Sequence, residues 1–422
     1  MRDLEIGIIG LGDMGKLYVT EFAKLGYRVN GSDVPERVEG LKKELKERRI
    51  HVLEDGRAVS RRSDIIFYLV ETSRIEQAAE QYGPSTKKGA VVSSGLSVMD
   101  PAIRAFGKHL PNDVDIINWH WLFGPFANLQ GQNSVVSKYR TDQITYEKIK
   151  GVFSEVGIKI TELTPEEHDR VTADTQVMTH VGFESMGSAW RMMGGYPWEN
   201  TTYAGGIDTV KVLGCLRVFS GKPHVYSALA MFNPHAREQV EQYALSTREL
   251  FSLMIAGKEE KFRGRIEEAR RVVFGNRKSA RLLDDRILGD FNLGVPAEKR
   301  TPNSNLSQFA KVDAYARLGI NPYDHMICQT PPFRLALGIT EYLFTTPSLL
   351  EESNDAALHD LSIRRDDLAF TIAVDQWANI IRNRDELGYN NQFREVKDFF
   401  GEEMLMTGRK KSEDLLRKLA IK

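Results

Sequence analysis

A glycine motif near the amino terminus has the spacing of a turn that binds phosphate groups. The motif consists of Gly10, Leu11, Gly12, Asp13, Met14 and Gly15, between a strand-like apolar run and a helix-like pattern. In such a turn the first glycine permits the bend, the second lets the backbone approach a pyrophosphate, and the third allows close packing of helix and strand. The amino terminus of the helix supplies N–H donors and a positive dipole. The motif therefore predicts a dinucleotide site.

The residues that follow the second predicted strand bear on the choice of dinucleotide. Asp33 lies where a carboxylate accepts a hydrogen bond from a ribose 2′-hydroxyl, which favours NAD. Ser32 could donate to a 2′-phosphate, and Arg37 could reach that phosphate from the following turn or helix, which favours NADP. These residues leave both cofactors open.

Two later segments carry side chains suited to hydroxyl chemistry. Ser97 follows the fourth predicted strand and His120 follows the fifth. Ligands of open α/β sheets bind at the carboxyl ends of the strands, so both side chains are predicted to lie near a nicotinamide. A neutral imidazole there accepts a hydrogen bond from a substrate hydroxyl while hydride leaves the same carbon, and a nearby serine can orient the ring. The alternative is a histidine packed among Trp119, Trp121 and Phe123.

Composition limits the function classes. The 422 residues include 57 Lys and Arg against 58 Asp and Glu, and the formal net charge of −1 favours a small-molecule partner over nucleic acid or a membrane. Cys215 and Cys328 are far apart and belong to no Cys/His cluster, so neither a metal site nor a disulfide is predicted. No apolar run approaches the ~20 residues of a membrane helix, and no leader segment is recognised. We therefore expect a cytoplasmic enzyme.

Strand-like and helix-like segments alternate up to about residue 163. The predicted strands are Leu4–Ile9, Tyr27–Ser32, Asp64–Val70, Ala90–Ser93, Val114–Trp119, Ser134–Ser137 and Ile158–Thr161. This alternation predicts a parallel sheet with helices on both faces, which is a doubly wound, Rossmann-type α/β domain. Such a sheet brings the glycine motif, Ser97 and His120 to one edge.

Beyond residue 163 the pattern is mainly helical. We predict a Rossmann domain at residues 1–163, a helical substrate and dimerisation domain at 164–295, and a helical extension packed on it at 296–422. Helices at Thr175–Met192 and Val225–Met231 are rich in apolar and small residues, which predicts burial against a second copy in a homodimer. A monomer whose helices pack on the terminal extension is the alternative.

The order and spacing of several motifs resemble the arogenate/prephenate dehydrogenase family. These motifs are Gly10–Gly15, the turn at Ser97, His120-x-x-Phe123-Gly124-Pro125 with Gly131-Gln132 following, Pro165–Asp169 and Gln176-x-x-x-His180. The chain is most similar to the fungal, monofunctional, NADP-linked branch through Thr172–Gln176, Ser185–Trp190, Glu249–Ile255 and Asp324–Cys328. The resemblance covers nearly the whole chain.

The resemblance implies oxidative decarboxylation of prephenate to 4-hydroxyphenylpyruvate and CO2, with reduction of NADP, in tyrosine biosynthesis. It implies that His120 accepts from the ring hydroxyl, that Arg217 binds a carboxylate and that His180 contacts the substrate. A structural ion pair for Arg217 and a packed core position for His180 are the alternatives. His168, His224 and His325 are expected to be structural.

Three other functions remain open. Arogenate dehydrogenase differs only in a side-chain ammonium on the substrate. A β-hydroxyacid dehydrogenase shares the opening glycine motif but uses a helical lysine, and this chain has none between Ile160 and Lys211. An NADP-sensing dimer would need neither the imidazole nor the arginine.

Overall fold

The computed structural model describes residues 3–46, 50–125, 129–275, 277, 279–280, 282–291 and 293–420. They form two compact units. The first comprises Met1–Thr172 with Phe232–Pro234, and the second comprises Ala173–Met231 with His235–Lys422.

The first unit is an α/β domain built on an eight-stranded sheet. Its strands are β1 (Glu5–Ile9), β2 (Arg28–Ser32), β3 (Ile50–Val52), β4 (Ile65–Tyr68), β5 (Val91–Ser94), β6 (Asp115–Trp121), β7 (Asn133–Arg140) and β8 (Lys159–Glu162). Its helices are α1 (Asp13–Lys24), α2 (Pro35–Glu44), α3 (Gly56–Arg62), α4 (Ile75–Tyr82), α5 (Asp100–His109), α6 (Gln143–Ser154) and α7 (Pro165–Thr172). Buried side chains form one apolar core against α1, α2 and α6 and another against α3, α4 and α5, so helices cover both faces as predicted.

The strand order is β3-β2-β1-β4-β5-β6-β7-β8. Neighbouring strands are parallel except for β6 and β7, which are antiparallel, so the expectation of a wholly parallel sheet is wrong at this edge. The described part of the connection between Trp121 and Asn133 contains no helix. A parallel return needs a crossover of about a dozen residues or more, usually helical, and a shorter connection returns the chain antiparallel.

The second unit is helical. After a π-helical segment, Ala173–Val177, it contains α8 (Met178–Met193), α9 (Gly206–Phe219), α10 (Pro223–Phe232), α11 (Ala236–Ile255), α12 (Glu259–Phe274), α13 (Asp285–Gly289), α14 (Leu306–Leu318), α15 (Pro331–Thr345), α16 (Pro347–His359), α17 (Arg364–Arg382), α18 (Glu386–Phe400) and α19 (Glu402–Ala420). None of the described helices has the length and apolar character needed to cross a membrane.

The division differs from the three predicted segments. The first unit runs past residue 163 to Thr172, because α7 packs on β7 and α5. Residues 164–295 and 296–422 do not separate, because α17 lies along α8 and α19 lies along α9. Trp377 of α17 donates to the Ser188 hydroxyl of α8 at 3.0 Å.

The same packing changes the argument for a dimer. Every side chain of α8 from Met178 to Trp190 is buried by the chain itself. The apolar character of this helix therefore requires no partner subunit, and the reason given for a dimer at this helix is wrong.

Candidate active site

The glycine motif forms the turn between β1 and α1. Gly10 has φ 101°, a conformation that L side chains rarely adopt. At Gly15 an added Cβ would lie 2.0 Å from the Gly10 carbonyl oxygen, so glycine alone permits this packing. An added Cβ at Gly12 would meet no atom within 4 Å, which leaves an open approach to the backbone. Gly12 also precedes Asp13 at the start of α1 and has no side chain to cap the first N–H groups, which leaves these donors for an anion.

A methyl group at Gly15 should disrupt this turn. We expect Gly15→Ala to lower the free energy of unfolding by about 2 kcal/mol, since a buried clash of this kind forces the backbone to shift, and to weaken dinucleotide binding. Calorimetric titration with NADP and thermal unfolding measure the two effects. Gly12→Ala is the matched control, because the open space there predicts unchanged stability. Equal losses of stability in both variants would contradict this account of the turn.

Asp33 and Arg37 hold the far side of the turn. Asp33 accepts from the Leu11 N–H at 2.7 Å and from the Val34 N–H at 2.8 Å, so each carboxylate oxygen is bonded to the backbone. Arg37 donates to Asp33 at 2.9 Å and to the Leu11 carbonyl oxygen at 3.2 Å, while about half of its side chain is exposed. Ser32 is buried. Of these predicted residues, Arg37 is the one most accessible to a ligand.

His120 lies near the carboxyl end of β6, within the strand and not after it. Successive side chains of a strand point to opposite faces. Trp121 stacks on Tyr18 of α1 with ring centroids 3.9 Å apart, while His120 contacts His168 of α7 edge to face at 5.0 Å. The alternative of a histidine packed among the neighbouring tryptophans is therefore not what the structure shows.

His120, His168 and Asp169 form a buried hydrogen-bonded chain. Nδ1 of His120 lies 2.8 Å from Nε2 of His168, and Nδ1 of His168 lies 2.8 Å from Oδ1 of Asp169. The backbone N–H groups of Met99 and Asp100 donate to the two oxygens of Asp169 at 2.8 and 2.9 Å. Asp169 is thus fixed as an acceptor at the end of the chain.

These contacts determine the tautomers when both rings are neutral. Because the Asp169 carboxylate only accepts, His168 donates its Nδ1–H and keeps Nε2 as an acceptor. His120 then donates its Nδ1–H to His168, which leaves the lone pair of His120 on Nε2. Burial, together with the neighbouring His168, holds the pKa of His120 well below 6.5, so the ring is neutral near pH 7. His120 is therefore set to accept a hydrogen bond through Nε2.

The structure assigns the orientation of His120 to a different residue from the one predicted. Ser97 is partly buried in the turn after β5, but among the described residues it makes no hydrogen bond to His120. His168, which was expected to be structural, holds the ring instead. The adjacent His168-Asp169 pair was a signal for this role, but the partner in β6 is distant in sequence.

His180 and Arg217 belong to the second unit. His180 is buried on α8 beside the Tyr226 ring, with ring centroids 4.7 Å apart, and burial lowers the pKa of His180 to about 3. Arg217 contacts Ser412 and Glu413 of α19 at 3.3 and 3.4 Å, which matches the alternative of a structural ion pair.

His325 has a partner that the sequence did not reveal. Its Nε2 lies 2.9 Å from the Asp174 carboxylate, so it is held structurally as expected. Within the described residues no group of three or more His, Cys, Asp or Glu side chains is arranged to hold a metal ion.

Comparison with known proteins decides the family. A prephenate dehydrogenase [NADP(+)] of Saccharomyces cerevisiae is 45% identical over 94% of this chain and 89% of its own length. The chain belongs to the prephenate dehydrogenase family. A second relative within this family, a probable prephenate dehydrogenase [NADP(+)] of Schizosaccharomyces pombe, is 40% identical over 94% of this chain and 93% of its own length.

Two sequence profiles match the two halves of this prephenate dehydrogenase family member. The profile described as a 6-phosphogluconate dehydrogenase C-terminal domain matches residues 177–421. The profile described as NADP oxidoreductase coenzyme F420-dependent matches residues 5–96. Among solved structures, prephenate dehydrogenase from A. aeolicus aligns at 17% identity with a TM-score of 0.49, covering 63% of this chain and 95% of that one.

Proposed function

We propose that this chain is an NADP-linked prephenate dehydrogenase, which converts prephenate and NADP to 4-hydroxyphenylpyruvate, CO2 and NADPH. The names of its two fungal relatives support this reaction. The structural observation that carries the proposal is the acceptor Nε2 of His120, which the bonds through His168 to Asp169 orient at the end of β6.

The residues present fit a dinucleotide. The open space at Gly12 and the uncapped first turn of α1 suit a pyrophosphate, which the backbone of Gly10, Leu11, Gly12, Asp13, Met14 and Gly15 would hold. Bound there, the cofactor supplies a nicotinamide ring that accepts a hydride. Ser32, Asp33 and Arg37 would surround the adenosine ribose.

His120 would act on the hydroxyl at ring carbon C4 of the substrate. As hydride leaves this carbon, positive charge builds on the hydroxyl, and Nε2 stabilises it by accepting the proton. The ring carboxylate then leaves as CO2, and its bonding electrons complete the aromatic ring. Because aromatisation drives the step, the protein mainly has to orient the substrate and receive one proton.

The cofactor preference is tested at Arg37. We expect Arg37→Gln to raise the KM for NADP by about tenfold and to leave the KM for NAD nearly unchanged, because only NADP carries the 2′-phosphate that the guanidinium would bind. Initial rates with each cofactor measure the change. Arg28→Gln, at the opposite end of β2, is the matched control. An equal effect on both cofactors would show that Arg37 supports the turn and does not read the phosphate.

Three predicted substrate-side residues stay predictions. Ser97 would face the substrate beside β5, and His180 and Arg217 would bind its polar groups from the helical unit. Arg217 must exchange its contact with Glu413 to take a substrate carboxylate.

We also propose a homodimer in the cytoplasm. The support for the dimer moves from α8 to α17, where Leu368 and Ile372, one turn apart, are 46% and 42% exposed on the helix surface. Light scattering at micromolar concentration tests it, and a monomeric mass would refute it. Both cysteines are free and buried, which agrees with a reducing compartment.

The reaction is tested by the absorbance of the reduced cofactor at 340 nm. We expect the purified enzyme to oxidise prephenate with NADP, more slowly with NAD, and to release one CO2 for each NADPH formed. No turnover of prephenate with either cofactor would refute the proposal, and arogenate would then be tested as substrate.

A further inference from the structure

Lys311 on α14 is a buried cation without a counter-charge. Its side chain is 2% exposed, and among the described residues no carboxylate or hydrogen-bond acceptor pairs with Nζ. The Phe183 ring lies 5.5 Å from Nζ. Burial lowers the pKa of Lys311 to about 7. A buried ammonium of this kind costs stability unless it serves another purpose.

Lys211 on α9 shows how the same unit treats a buried lysine with a structural role. It is equally buried, but its Nζ donates to Asp208 at 2.8 Å and also to Asn305. The chain therefore supplies a carboxylate to one buried lysine and leaves the other without one. This contrast indicates that the anion for Lys311 comes from a ligand.

A second unpartnered group lies beside Lys311. Nδ1 of His180 is buried and has no hydrogen-bond partner among the described residues, and the charge of Lys311 contributes to its low pKa. Between them Gly182 leaves room, since an added Cβ would lie 3.6 Å from Nζ and 3.2 Å from the Tyr243 hydroxyl. A neutral imidazole and an ammonium thus present donors to the same small region.

We propose that Lys311 and His180 together bind the side-chain carboxylate of the substrate, the one that remains in the product. This inference rests on the proposed function, because prephenate has two carboxylates. A cation at the ring carboxylate would stabilise the charge that has to leave as CO2 and would slow the reaction. At the side-chain carboxylate, whose charge persists, the cation binds substrate and transition state equally and therefore acts on KM.

The test compares Lys311→Met with Lys211→Met. We expect Lys311→Met to raise the KM for prephenate by about 30-fold or more, with kcat within threefold and the KM for NADP unchanged. We expect the Tm of the ligand-free enzyme to stay the same or rise, because an unpaired buried charge is removed. Lys211→Met leaves Asp208 unpaired, so it should lower Tm and leave the KM for prephenate unchanged.

An unchanged KM in Lys311→Met would overturn the proposal, as would equal increases of KM in both variants. Lys311→Gln, made in parallel, provides the same test if the methionine variant does not fold. Binding of 3-(4-hydroxyphenyl)propionate, which carries only the side-chain carboxylate, is measured by calorimetry in the presence of NADP. If the wild type oxidises no prephenate, the proposed function fails, and this binding still decides the role of Lys311. Equal affinity in wild type and Lys311→Met would overturn it.

Discussion

Replacement of His120 by asparagine should lower kcat for prephenate oxidation by about 100-fold or more, with little change in either KM. A hundredfold loss corresponds to about 2.7 kcal/mol of transition-state stabilisation, which is within the range for a positioned general base. The shorter amide cannot reach the position of Nε2, so the developing positive charge on the hydroxyl is left without an acceptor. Steady-state rates with saturating NADP measure the effect.

His109→Asn is the matched control for His120→Asn. His109 ends α5 and contacts Glu76 at 2.8 Å, away from the end of β6, so its replacement should leave kcat unchanged. Thermal unfolding of each variant shows whether the fold is retained. If His120→Asn keeps more than a third of the wild-type kcat, the imidazole takes no part in the chemical step.

The pH profile provides a second check on His120. Its pKa lies well below 6.5, chiefly because of burial, and only the neutral ring accepts a proton. The kcat of the wild type should therefore remain level as the pH falls through 6.5 and decline only at more acidic pH. A decline centred at 6.5 would show a solvated imidazole, contrary to the geometry.

Replacement of His168 by leucine should lower kcat between about 10-fold and 100-fold, the range for loss of a group that orients a functional histidine. Without its acceptor, His120 loses both its fixed orientation and the preference that keeps the lone pair on Nε2. The variant tests His168 as a positioning residue, because His168 acts on the reaction through His120.

His168→Gln is the matched variant for His168→Leu. Both remove the imidazole, but the amide oxygen of glutamine can still accept from Nδ1 of His120, so we expect it to restore part of kcat. Removing His168 also removes one cause of the low pKa of His120, so the acid decline of kcat should move towards pH 6.5 in the leucine variant. Equal kcat in both variants with an unshifted profile would leave His168 only a structural role.

The fold of the first unit was largely predictable from local spacing. Glycine spacing at Gly10, Gly12 and Gly15 determined a strand, a turn and a helix, because the steric limits of this turn operate over a few residues. Hydrophobic alternation identified most of the strands for the same reason. The antiparallel pairing of β7 was missed, because it depends on the connection that joins β7 to β6.

The predicted site was correct in its position and incomplete in its parts. Strand-end placement brought His120 to the predicted edge of the sheet, but Ser97 does not orient the ring. The partner that does, His168, comes from a helix far along the chain and was assigned to a structural role. Such a pair is specified by tertiary packing, since nothing in the spacing between residues 120 and 168 fixes their separation in space.

The sequence by itself determined the dinucleotide turn, the α/β and helical halves and the histidine for hydroxyl chemistry, because these depend on short-range periodicity and on residue type. Only the tertiary structure decided that Asp169 and His168 fix the tautomer of His120, that α17 covers α8, and that Lys311 is left without an anion. These three features depend on which distant side chains come into contact, or fail to do so. Contacts of that kind follow from the packing of whole elements, which local sequence patterns do not specify.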